Sequence, residues 1–350
     1  MHRSTIAKAG PLAPTLASAL TPPLARREFL TCSAWLMAGL TMAPWSARRA
    51  FGATVRGETV LTRPFARVEK IAEGVWASIA TPFPAGDYTA VSNGGIIAGR
   101  DGVMLVEGLN TRAGGAWLAM LAKELTGRWP THVVVTHLHG DHTNGVCGCM
   151  HPEHETSVIS SAGTRKLLAE RAADSSGWTF DETTRRAALG ATQVIPETVV
   201  ADDAKATTID LGGRTVTLEP RVGHTPSDLT IRIADPPVVW CGDLFFNGMW
   251  PYFGDAIPSK LGATCKAMLD ERDTTYVPGH GSIASDGDIR NYLAMLEDLE
   301  KAARDAHAKG IPASAAWKQY SVPASLGEWR KFREDVFRFG FEAWERELGN

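Results

Sequence analysis

The sequence predicts an α/β fold in which two sheets pack face to face with helices outside. Two observations point to it. Strand-like and helical segments follow one another in two halves, each reading strands, helix, strand, helix. In addition, short apolar segments deliver histidine or aspartate beside glycine at their C-terminal tips, as in "THVVVTHLHGDH", "TVTLEPRVGHT", "VVWCGD" and "TYVPGHG". Four such tips converging on one sheet edge would build a single site.

The 350 residues suffice for one large α/β domain or two modest ones, and 44% hydrophobic with 21% charged residues is an ordinary globular balance. No block of like charge and no internal repeat stands out. The N-terminal "ARREFLTCSAWLMAGLTMAPWSA" places Arg26 and Arg27 before a weakly apolar, small-residue run. It resembles a twin-arginine export signal, which implies a periplasmic protein with residues 1–52 removed, the cut falling near Ala50 and Gly52. The apolar run is too short and interrupted to span a bilayer, so no stable membrane insertion is expected after its removal. Those residues carry six basic and one acidic side chain, so the net charge falls from −3 to −8 without them. An acidic exported chain is a poor nucleic-acid partner, because phosphate contacts need clustered Lys and Arg. Of the five cysteines, Cys32 leaves with the signal, and Cys147, Cys149, Cys241 and Cys265 form no dense disulfide pattern.

The elements follow in order. A polar lead-in runs to about Pro64. "ARVEKIAEGVWASIA" reads as two strands around a Glu73-Gly74 turn, and "VSNGGIIAGRDGVMLVEGL" as a hairpin turned at "RDG". "GGAWLAMLAKELTG" has helical spacing at Trp117, Leu118, Leu121 and Leu125, with Gly127 as its C-cap. "THVVVTH" is a strand, and "SAGTRKLLAERAAD" a helix starting near Ser161. The polar stretch from Ser175 to Lys205 reads as a helix and a loop over a site. "ATTIDLGGRTVTLEP" turns at Gly212-Gly213, and "SDLTIRIADPPVVWCGD" supplies two more strands. "SKLGATCKAMLDE" is a helix, "TTYVPGHG" a strand, and "DIRNYLAMLEDLEKAARDAHAKG" a long helix closed by Gly310. The tail is expected to be helical from Leu326 to Leu348, with Trp329, Phe332, Val336, Phe339 and Ala343 on one face for packing or dimer formation.

The chemistry concentrates in "HLHGDH". His137, His139, Asp141 and His142 follow an apolar strand directly, and imidazole with carboxylate suits zinc. One cluster supplies only part of a coordination set. His224, Asp243 and His280 stand at three further strand tips.

Taken together, "HLHGDH", "GHTPSD", "CGDLF" and "PGHG" resemble the metal-binding motifs of the metallo-β-lactamase-fold hydrolase superfamily, over roughly residues 66–310. The resemblance implies a four-layer αβ/βα sandwich with metals at one edge; residues 311–350 lie beyond it and read, from their own spacing, as a C-terminal helical extension. It implies that His137, His139 and His224 hold a first zinc ion, that Asp141, His142 and His280 hold a second, and that Asp243 bridges them. It further implies a shared hydroxide as nucleophile, with Asp141 orienting it or relaying a proton. No G-x-S-x-G or S-x-x-K motif offers a different nucleophile.

The remaining histidines and cysteines read as structural. His132 precedes a strand. His151 and His154, three apart, lack H-E-x-x-H spacing and read as a solvated loop near the site mouth. Cys147 and Cys149 read as small thiols, with a strained disulfide or soft-metal pair as the alternative. Strand alternation would put Cys241 on the same side as Asp243. The run "LFFNGMWPYFGDAIPSK" reads as core or as the wall of a hydrophobic pocket.

The expected function is therefore an exported binuclear zinc hydrolase acting on a small ester, thioester, lactone or amide. Asp243 favours glyoxalase-II-like or lactonase-like relatives, since true β-lactamases of this superfamily generally lack the bridging Asp. The twin-arginine signal, "GDLFFNG" and "PGHG" are also similar to exported metallohydrolases found near quinoprotein systems. The alternatives are a β-lactamase, which export would suit, and an iron-dependent persulfide-dioxygenase-like enzyme on the same scaffold.

Overall fold

The computed structural model describes residues 57–80, 87–173, 189–190, 192–269 and 273–349. The expected export signal over 1–52 lies outside the described residues. So do residues 175–188 and 191 of the helix and loop expected between Ser175 and Lys205, and the described remainder carries a short strand, Thr198–Val200, instead.

The first sheet has eight strands in sequence order: β1 Glu58–Arg63, β2 Ala66–Ala72, β3 Val75–Ala80, β4 Gly94–Ala98, β5 Val103–Val106, β6 His132–Val134, β7 Ser157–Ser161 and β8 Thr198–Val200. β1 to β5 are antiparallel, and β5 to β8 are parallel. The second sheet has five strands: β9 Thr207–Asp210, β10 Thr215–Arg221, β11 Asp228–Ile233, β12 Val238–Asn247 and β13 Thr275–Gly281, ordered β13-β12-β11-β10-β9. β12 and β13 run parallel, so their C-terminal tips point the same way.

Alternation along the strands builds the layers. On β5, Met104 and Val106 face the second sheet, while Val103 and Leu105 face outward. The inward set meets Val216, Leu218, Ile231, Val238 and Trp240 to form the core between the sheets. Helix α1 (Arg112–Thr126) covers the outward set with Leu118, Leu121 and Ala122. Thr111 caps its first turn by accepting from the Gly114 N–H at 3.0 Å, and Gly127 closes it in the left-handed conformation at φ 75°.

Short helical turns α2 (Gly140–Thr143) and α3 (Val146–Cys149) follow β6, and α4 (Ala162–Ala173) follows β7. On the far side, α5 (Pro258–Met268), α6 (Asp286–Ala308), α7 (Ala313–Ala316) and α8 (Val336–Leu348) cover the second sheet. The result is the expected four-layer αβ/βα sandwich with C-terminal helices. Among the described residues, no helix is long and apolar enough to cross a membrane.

The structure corrects three readings of the elements. The polar lead-in contains β1, an edge strand paired with β2. The tail is not helical from Leu326: Gly327 has φ 79°, and helix α8 begins only at Val336. Between them Arg330 pairs with the segment after β12, its N–H donating to Gly248 O at 3.0 Å and its carbonyl oxygen accepting from Trp250 N at 2.8 Å. That pairing uses backbone groups a helix would need. β12 also runs four residues past Asp243, so most of the aromatic run is core: Phe245, Trp250 and Phe253 are fully buried, and Tyr252 is half-buried. The tail contributes Phe337, Phe341 and Trp344 to the same core, so α8 buries its apolar face within its own chain.

Candidate metal centre

The strand tips meet as the sequence predicts. β6 ends at Val134, and the next residues extend before the α2 turn, presenting His137 and His139 on the loop and Asp141 and His142 from the helical turn. The turn before β11 delivers His224, β12 delivers Asp243 and β13 delivers His280. Two glycines allow this approach. A Cβ on Gly242, already at φ 52°, would lie 2.5 Å from Thr136 Oγ1. A Cβ on Gly279 would lie 2.0 Å from Asp243 Oδ1.

Two clusters share Asp243. His139 Nδ1 lies 3.0 Å from His137 Nε2 and 2.9 Å from His224 Nε2. Asp243 Oδ2 faces this group, 3.3 Å from His224 Nε2 and 3.8 Å from His137 Nε2. Its other oxygen, Oδ1, lies 3.1 Å from His142 Nε2 and 3.4 Å from His280 Nε2. Asp141 Oδ2 completes that side, 3.5 Å from His142 Nε2 and 3.3 Å from His280 Nε2. All seven predicted residues are brought together. Asp141, with 23% of its side chain exposed, is the most open of the second group.

Donor chemistry fits metal ions. A tetrahedral ion bound at about 2.0–2.1 Å separates its ligand atoms by about 3.3–3.4 Å, and the spacings above bracket that value. Buried His142 Nε2 and Asp243 Oδ1 face each other at 3.1 Å without an aligned hydrogen bond. A cation between such atoms would satisfy both.

Electrostatics agrees. Burial, reinforced by the neighbouring imidazole of His142, holds His137 well below the usual histidine range. Burial takes His224 down to about 3. Both therefore present bare nitrogen lone pairs at neutral pH. His280 goes the other way: burial opposes its charge, but Asp243 and Asp141 push it up to about 9. Burial also opposes the charge on Asp141, yet His142 and His280 hold it at about 2. Without metal, the second cluster is thus carboxylate neutralised by imidazolium.

Supporting residues surround the clusters, and none of these four is singled out by the sequence. Glu107, at the tip of β5, accepts from Thr136 Oγ1 at 2.5 Å and from Thr136 N at 3.2 Å, and its carboxylate lies 3.0 Å from His142 Nδ1. It sits at φ 69°, a strained backbone for a non-glycine residue. Its signal was available, since "VMLVEG" is one more apolar strand ending in a carboxylate beside glycine. Asn93 ties the sheets together at this edge, donating to Pro278 O and Gly281 O at 2.8 Å each. Asp255 accepts from His139 Nε2 at 2.7 Å and from Arg171 at 3.1 Å. Only a lone acid in an aromatic run marked it. Asp228 holds the His224 turn, accepting from His224 N at 3.1 Å and Thr225 Oγ1 at 2.8 Å.

Other candidates fall elsewhere. His151 stacks on Trp129 with ring centroids 4.2 Å apart, and Trp129 precedes β6. The His151–His154 loop leads into β7, whose first residue Ser157 pairs with His132 at the start of parallel β6. The loop therefore sits at the opposite end of these strands from the metal edge, not at the site mouth. His132 is structural, its Nδ1 2.8 Å from Thr131 Oγ1. Cys147 and Cys149 are free thiols on α3, Cys149 buried against Gly145 O. Cys241 packs into the helix-side core with Val239, away from Asp243. The strand register shifts at Gly242, which breaks the expected alternation.

The sequence pattern of the metallo-beta-lactamase superfamily matches residues 88–280, more than half of the chain. The chain belongs to the metallo-beta-lactamase superfamily. Among curated proteins, an uncharacterised protein of Mycobacterium tuberculosis is 30% identical over 115 residues, covering 30% of this chain and 51% of that protein. One from Mycobacterium leprae is 28% identical over 184 residues, covering 49% of this chain and 78% of that protein. The chain thus spans about half the length of the first of these relatives. Two solved structures share the superfamily fold at 18% identity. A stereoselective inverting sec-alkylsulfatase from a Pseudomonas species superposes with TM-score 0.59, over 81% of this chain and 50% of that one. A metallo-beta-lactamase from Pontibacter korlensis superposes with TM-score 0.54, over 67% of this chain and 99% of that one.

Proposed function

We propose that this superfamily member is an exported hydrolase that holds two zinc ions and cleaves a small ester, thioester, lactone or amide. One observation carries the reading: the two oxygens of Asp243 face two separate clusters, each completed by three further ligand-type side chains. His137, His139 and His224 would hold one ion, and Asp141, His142 and His280 the other. Bound there, the ions would supply a water acidified toward neutrality and a Lewis acid for the scissile carbonyl.

The chain's own residues do the rest. Asp243 keeps both clusters in register. Glu107 and Asp228 hold His142 and the His224 turn in place. Asp141, the more open carboxylate and ionised at neutral pH, accepts a hydrogen bond from the incoming water and orients it. The acidic chain and the export signal favour a small-molecule substrate in the periplasm over nucleic acid.

Metal analysis of protein purified without added metal tests the reading, with two zinc per chain expected. Predominant iron would overturn it in favour of the dioxygenase alternative. A panel of thioester, lactone and aryl ester then selects the substrate class. Nitrocefin and a secondary alkyl sulfate join it because a β-lactamase and an alkylsulfatase share this fold. Turnover of none of the panel by zinc-loaded protein would count against hydrolysis.

A further inference from the structure

Of the three imidazoles in the first cluster, His139 alone turns Nδ1 inward. His137 and His224 present Nε2. A neutral imidazole carries one proton, so each ring needs something on its far side to keep the inward nitrogen bare. His137 has Thr136, whose hydroxyl donates to Glu107 and is left to accept from His137 Nδ1 at 2.9 Å. His224 Nδ1 has no partner among the described residues. His139 has Asp255, whose Oδ2 lies 2.7 Å from its Nε2. A carboxylate can only accept, so the proton must sit on Nε2 and the lone pair on Nδ1.

Asp255 is not free to swing away. Arg171, near the end of α4, donates to the same Oδ2 at 3.1 Å. This joins three separate parts of the chain: the loop after β6, the first sheet's helix α4, and the connection between β12 and α5.

We propose that Asp255 is a positioning residue for the first metal cluster: with Arg171 anchoring it, it fixes the tautomer and ring orientation of His139 and thereby sets that cluster's zinc affinity. The proposal rests on the metal-binding reading above. Carboxylates behind a ligating histidine contribute about 10–100-fold to metal affinity. Here the effect falls on one cluster, because Asp255 touches His139 and none of His142, Asp141 or His280 in the contacts described.

Two measurements on the full chain test this, with far-UV circular dichroism confirming the fold of each variant. The first is zinc competition against a chromogenic chelator, for wild type, Asp255→Ala, Asp255→Asn, Arg171→Ala and His224→Ala. Wild type should bind two equivalents and His224→Ala should lose one. Asp255→Ala should weaken one binding step by about 10–100-fold and leave the other unchanged. Asp255→Asn should lose less, since its amide oxygen still accepts the Nε2 proton, and Arg171→Ala should also lose less than Asp255→Ala. The second is ¹⁵N NMR of the imidazoles in metal-free protein. It should show His139 as the Nε2–H tautomer in wild type and a mixture in Asp255→Ala, a change that loss of packing alone would not produce. Wild-type affinities in Asp255→Ala, with His224→Ala losing one ion, would overturn the proposal and leave the metal reading standing. Equal weakening of both steps would overturn it too. Wild type that binds no zinc would overturn both.

Discussion

Gly279→Ala is a one-methyl perturbation aimed at the point where both clusters join. An ideal Cβ at this position lies 2.0 Å from Asp243 Oδ1, 2.7 Å from the carbonyl carbon of Gly242 and 2.9 Å from Asp243 N. Ordinary carbon contacts begin at about 3.5 Å, so the carboxylate must move by more than about 1 Å or the β12 and β13 tips must part. Metal–ligand distances tolerate about ±0.2 Å. Oδ1 is the oxygen that faces His142 and His280, so the second ion should be lost first. Gly279 does not occupy the left-handed region, so alanine itself is no backbone strain, and the fold should survive. Overpacking of this kind costs about 1–3 kcal/mol, or a melting-point drop of roughly 2–12 °C for a domain of this size. The assay is zinc per chain together with a thermal melt. Gly262→Ala on α5 is the control, since its Cβ would meet nothing within 4 Å. Gly279→Ala with two zinc ions and a wild-type melt would refute the placement of Asp243 argued above.

Further outcomes follow from the site and from the core. Asp243→Ala should lose metal and activity together, and full retention of both would sink the hydrolase reading. In metal-free protein, burial opposes protonation of His280, but Asp243 and Asp141 raise it to about 9. Against the same opposing burial, His142 is raised as well, by Asp243, Asp141 and Glu107, and zinc must displace the protons on both rings, so zinc affinity should rise by at least about tenfold per pH unit from pH 7 toward 9; a flat profile would contradict it. By linkage, the raised pKa also stabilises the metal-free fold fully below the ordinary 6.5, and that contribution fades as pH climbs through about 9. Finally, Trp344→Ala should destabilise by about 3–5 kcal/mol, as a fully packed aromatic lost from the helix-side core does. Denaturant unfolding reads it, and a loss under about 1 kcal/mol would mean that the C-terminal helix is not integral to the fold.

Every one of the seven ligand-type residues was legible in the sequence, because each carries a local mark: an apolar run leading into His or Asp with a glycine close by. The layered fold was legible for the same reason, since period-two and helical spacing are local properties. Glu107 bore the same mark and was passed over as a hairpin strand. Asp255 bore almost none, because what makes it matter is a histidine 116 positions away.

The sequence by itself determined which side chains could bind metal and that they sit at strand tips. Only the tertiary structure decided which carboxylates stand behind which rings, and that His151 and His154 lie at the far end of their strands. It also decided that Cys241 turns away from the site. The physical reason is that a strand's pattern says which faces alternate, whereas partner, register and local breaks are set by packing. At Gly242, a φ of 52° and a register shift reverse what alternation alone would have placed beside the metals.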